Sequence, residues 1–132
     1  MQLHQLEHLI RAAGTITDRY EFIVIGSQSI LGSVERPPLE CLMSNEADLY
    51  PKEDRIAYCI DVLDLFMSKC AANREKDHEF NVVLLRAGLV DAPSAFLRVP
   101  DMPIDAAARS RMTALITRLA AQAAAAGPLT TK

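Results

Sequence analysis

Phe22-Ile23-Val24-Ile25 is a short, continuously apolar run that stops at Gly26-Ser27, and no other segment constrains the fold as much. Its brevity, its β-branched side chains and the lack of any polar alternation fit a central strand buried on both faces. A second strand is expected from Leu42 to Tyr50, closed by Pro51, and a third, very short one over Tyr58-Cys59-Ile60. Alternation along a strand sends residues i and i+2 to one face, so Glu46 and Asp48 are expected to project together.

Helical patterns surround these strands. Leu3, Leu6, Leu9, Ile10 and Ala13 recur at helical spacing, with Gly14 as a stop. Gln28 to Gly32 suits a short helix that starts at the Gly-Ser turn. Asp61 or Asp64 can cap a long helix reaching about Ala87, with Gly88 ending it, and Asp91 can cap a short one. Ile104 or Asp105 to Ala126 forms the last helix before Gly127-Pro128, and its alanine run favours helix while packing little. The expected class is α+β: a small mixed sheet of two or three strands with four to five helices. It reads as one domain over 1–132, with a core over 1–60 and a helical part over 61–126.

Composition narrows the function classes. At 132 residues the chain is large enough for a real core, and 50% hydrophobic with 23% charged residues is a globular balance. A formal net charge of −3 gives no general attraction for nucleic acid. Cys41, Cys59 and Cys70 are odd in number and widely spaced, which fits reduced thiols better than a disulfide framework or a zinc site. Neither a secretory start nor a membrane-spanning apolar stretch is present, so a cytoplasmic protein without a membrane partner is expected.

The chemistry-bearing residues fall into two groups. Glu46 and Asp48 supply two hard oxygen ligands suited to Mg²⁺, and Gly26-Ser27 offers backbone donors for phosphate. Further on, Leu63, Phe66, Cys70, Phe80, Leu84 and Ala87 mark a core stripe, and Asp77 falls on it. An acid aimed at a core requires either a partner, for which Arg74 stands three residues earlier, or a task. Lys69 lies beside the stripe, where its ammonium either reaches a bound phosphate or extends to solvent. His4 and His8 have the i, i+4 spacing of a metal chelate, but without a third ligand such a pair is more often accidental.

The block from Phe22 to Ser33, followed by Met43-Ser44-Asn45-Glu46-Ala47-Asp48-Leu49-Tyr50-Pro51, resembles bacterial nucleotidyltransferase-like proteins. Cys59-Ile60-Asp61, Asp64-Leu65, Ser68-Lys69, Arg74-Glu75-Lys76-Asp77 and Arg86-Ala87-Gly88-Leu89-Val90-Asp91 extend the likeness. That group is similar to the nucleotidyltransferase toxins of AbiE-type abortive-infection systems. The resemblance implies Gly26 and Ser27 at a nucleoside triphosphate, Glu46 and Asp48 on Mg²⁺, Lys69 at phosphate and Asp77 near the nucleophile. The reaction it implies is nucleotide transfer to a hydroxyl acceptor.

This chain departs from that pattern between its second and third strands. Only Lys52 to Tyr58 connect them, where relatives carry several strands' worth of sequence, and Asp61 alone stands as a third carboxylate. So small a sheet exposes its edges, and a homodimer exchanging strand or helix contacts is expected. The alternative to an enzyme, active or degenerate, is a non-catalytic dimeric protein that binds a helix-turn-helix partner in a toxin–antitoxin-like pair.

Overall fold

The computed structural model describes residues 1–19, 21–52 and 57–129. Of the connection Lys52 to Tyr58 expected between the second and third strands, residues 53–56 lie outside the described residues. The architecture is α+β. In chain order it comprises α1 (Leu3–Thr17), β1 (Glu21–Ile25), α2 (Ile30–Ser33), β2 (Asp48–Lys52), β3 (Ala57–Cys59), α3 (Val62–Ala72), α4 (Glu75–Arg86), α5 (Ala92–Arg98) and α6 (Ala106–Ala126). Short 3₁₀ turns occupy Ser27–Ser29, Leu39–Leu42 and Val99–Asp101. The chain groups into two compact units, Met1–Leu65 and the part from Phe66 onward, with the boundary inside α3.

In the first unit β1 is the central strand of the order β2-β1-β3. It runs antiparallel to β2, with Ile23 opposite Tyr50 and Ile25 opposite Asp48, and parallel to β3, with Val24 opposite Cys59. Phe22 and Val24 are buried, as the apolar run requires. Glycines set the helix packing against this sheet. A Cβ on Gly32 would lie 2.3 Å from Cys59 Sγ, so α2 sits directly on β3. Gly14 does not stop α1. It is buried inside the helix, where a Cβ would meet the Arg19 carbonyl at 2.9 Å, and α1 ends only at Asp18, whose φ of 51° is left-handed.

The second strand is shorter and later than the pattern suggests. Residues Leu39–Leu42 form a 3₁₀ turn and β2 begins at Asp48, leaving Glu46 in the preceding loop. Competing partners explain this. Cys41 N–H donates to the Pro38 carbonyl at 3.0 Å, and the Gln28 amide donates to the Cys41 carbonyl at 3.3 Å. The Met1 amino group donates to the Leu42 carbonyl and, at 3.1 Å, to that of Ser44. The carbonyls of Cys41, Leu42 and Ser44 are thereby engaged away from the sheet. At its other end β2 passes through Pro51 to Lys52 instead of closing at proline. As an outer strand of the described sheet it tolerates the missing donor.

In the second unit the single long helix expected to reach Ala87 is two helices. Asn73 takes a left-handed φ of 54° and Arg74 is extended, so α3 ends and α4 starts within two residues. That break makes six α-helices among the described residues where four to five were expected. The remaining boundaries follow their caps. Gly88 has φ 68°, Asp91 accepts from Ser94 N–H at 2.9 Å, and Asp105 accepts from Ala108 N–H at 2.7 Å. Met112, Leu115, Ile116, Leu119 and Ala123 form the buried stripe of α6. Its C-terminal end is tied to the end of α4, because Arg86 Nε donates to the Gly127 carbonyl at 2.8 Å. Among the described residues no helix is long and apolar enough to cross a membrane.

Candidate functional site

The first group of site residues gathers at one corner of the three-stranded sheet. The register places Asp48 beside Ile25, the last residue of β1, so the chain leaves β1 at Gly26 directly next to the start of β2. Gly26 has φ 83°, a conformation that glycine adopts without steric cost. A Cβ at this position would stand 3.5 Å from both Asp48 Oδ2 and the Glu46 carbonyl oxygen. Those are ordinary contact distances, so the positive φ, and not a lack of space, is what calls for glycine here. Both Glu46 and Asp48 are exposed. The expectation that they share a strand face is corrected: Glu46 stands before β2, its N–H donating to Ser44 Oγ at 3.1 Å, and the loop carries it.

The turn itself is tightly held. Ser29 donates to the Gly26 carbonyl through its N–H at 3.1 Å and its hydroxyl at 2.8 Å. Ser27, Gln28 and Ser29 are all buried. Gln28 joins the turn to the 3₁₀ segment through Cys41, and its Oε1 has no hydrogen-bond partner among the described residues. Gln28 was not singled out in the sequence, although its place right after Gly-Ser is a signal. Two exposed carboxylates match how Mg²⁺ is usually held, by one or two protein carboxylates plus substrate phosphates. Among the described residues no three His, Cys, Asp or Glu side chains cluster as a metal-holding group. Asp61 instead serves α3, accepting from Leu63 N–H at 2.9 Å.

The second group, Lys69 and Asp77, lies in the second unit and is paired internally. Lys69 Nζ reaches Asp77 Oδ1 at 3.1 Å, with side-chain exposures of 7% and 0%. Arg74 adds Nε to Oδ2 at 2.7 Å, Nη2 to Oδ1 at 3.2 Å and its own backbone N–H to Oδ2 at 3.3 Å. Asp77 is thus the third residue of α4 reaching back to the residue that caps it, a role that depends on the break at Asn73. Burial opposes its charge, but the hydrogen bonds from Arg74 and Lys69 outweigh this and hold its carboxyl below the usual carboxylate value. Lys69 also stands 4.4 Å from the centre of the Phe80 ring. Of the two roles open to Asp77, the geometry displays the partnered one.

Asn81, one turn beyond Asp77, is fully buried and was also missed in the sequence. Its amide donates to the Phe66 carbonyl at 3.0 Å and to Cys70 Sγ at 3.2 Å, while its Oδ1 has no hydrogen-bond partner among the described residues. Burial pushes the Cys70 thiol up to about 12, against the lowering effect of Asn81, which keeps it in the unreactive thiol form. Comparison of the chain with protein-family models, curated proteins and solved structures finds no match.

Proposed function

We propose that the chain is a nucleotidyltransferase-like protein that binds a nucleoside triphosphate with Mg²⁺ at the Gly26-Ser27 turn, Asp48 and Glu46. The single observation that supports this most is the register that sets Asp48 beside Ile25, where the central strand ends and the chain turns at Gly26 with φ 83°. Glu46 and Asp48 would hold the metal, which supplies charge neutralisation at the phosphates. The backbone of the turn positions the nucleotide. On this reading transfer chemistry is degenerate, because both oxygens of Asp77 are occupied by Lys69 and Arg74 inside the second unit.

The test is a calorimetric titration of ATP, GTP, CTP and UTP with and without Mg²⁺. Metal-dependent binding of at least one nucleotide is expected, weakened tenfold or more by Asp48→Ala. Absence of binding by all four sinks the proposal.

A second reading, a dimeric interaction protein, draws on a different observation. Tyr50 on β2 and Tyr58 on β3 are 55% and 48% exposed, and neither strand has an outer neighbour among the described residues. Pairing of such edges between two copies would cover them. A single monomeric mass in light scattering at micromolar concentration counts against the dimer, and capture of a helix-turn-helix protein without nucleotide supports the interaction role.

A further inference from the structure

We infer a site for a divalent first-row transition ion on the first turns of α1, formed by His4 and His8 and closed by Asn45. The two histidines are one helical turn apart, so their imidazoles rise from the same face of α1, and both are exposed. The sequence offers this pair no third ligand nearby, but the fold brings a side-chain amide to the same depression. His4 and His8 line one open depression of about 500 Å³ together with Met1, Gln5, Leu9 and Asn45. Asn45 comes from the loop before β2, more than thirty residues away in sequence.

The approach of that loop is built into the backbone. The Met1 amino group donates to the carbonyls of both Leu42 and Ser44, anchoring the start of α1 on the segment immediately before Asn45. Neutral imidazoles at i and i+4 are a chelate that suits Zn²⁺, Ni²⁺ and Cu²⁺, with an amide oxygen and water completing the shell. Mg²⁺ prefers oxygen ligands and would be a poor occupant. This site is separate in donor chemistry from the carboxylate pair, but its third ligand adjoins Glu46 in the chain. An ion bound here would fasten the Glu46-bearing loop to α1.

Titration with Ni²⁺ in a non-coordinating buffer is the test, since Ni²⁺ resists thiol redox chemistry under these conditions. One equivalent is expected to bind, with affinity falling at least tenfold in His4→Ala and in His8→Ala and several-fold in Asn45→Ala. Hydrogen exchange at residues 43–46 is expected to slow when Ni²⁺ is added to the unaltered protein. All three positions are exposed, so the variants are expected to keep the wild-type melting temperature without metal, and this is checked first. Affinity unchanged by either histidine substitution overturns the site. Affinity unchanged in Asn45→Ala, or exchange in the loop unaffected by Ni²⁺, overturns its closure by the loop.

Discussion

Asp77 shows how one side chain can be read in two ways until its neighbours are known. Its oxygens receive Lys69, the Arg74 guanidinium and the Arg74 main chain, all around a carboxylate with no exposed surface. Removing the acceptor breaks a buried ion pair from one side, so Asp77→Ala is expected to cost about 3–5 kcal/mol in chemical denaturation. The pH dependence has a definite sign. A carboxyl whose pKa is lower folded than unfolded contributes stability that is fully present above the unfolded value. That contribution is lost as pH falls through the folded one. Acid unfolding curves should therefore flatten in Asp77→Asn relative to the unaltered protein, and identical acid limbs would contradict the assignment. Gly32 gives a purely steric counterpart. Gly32→Ala forces a methyl onto Cys59 and should lower stability by about 1–3 kcal/mol, measurable as a shift in denaturation midpoint.

The elements divide sharply in how openly the sequence declares them. The apolar run of β1, the caps Asp91 and Asp105, and the stops Gly88 and Gly127 all rest on local chemistry, and each is found where that chemistry puts it. Three features depend on packing and hydrogen bonds that periodicity does not announce. The Gly14 position answers to the Arg19 carbonyl, the late start of β2 to Met1 and Gln28, and the split between α3 and α4 to the buried cluster at Asp77. Periodicity alone carries the stripe through Asn73 because Cys70, Phe80 and Leu84 keep near-helical spacing across the break. Asparagine is the usual non-glycine residue for such a left-handed step. Asn73→Val is accordingly expected to destabilise by roughly 1–2 kcal/mol and Asn73→Gly to be near neutral, compared by thermal melting. Equal losses in the two variants would point to the side-chain contact with His78 instead, where Nε2 lies 2.7 Å from Asn73 Oδ1.

Across the whole molecule, the site residues named from sequence separate into two clusters with different physics. Gly26, Glu46 and Asp48 stand at an exposed corner of the first unit, while Lys69 and Asp77 are buried as partners in the second. The first cluster was legible because glycine, serine and paired acids next to a buried strand have few joint uses. The pairing of the second was legible only in part, since i−3 spacing announced Arg74 but nothing local announced Lys69. That division makes nucleotide binding, and not transfer, the central claim. Its most direct test is an amide NMR titration of the labelled protein with Mg²⁺ and the nucleoside triphosphates. The account predicts saturable shifts at Gly26, Ser27 and Asp48 that require Mg²⁺ and vanish in Asp48→Ala. Shifts confined to other residues, or none at millimolar nucleotide, would contradict it.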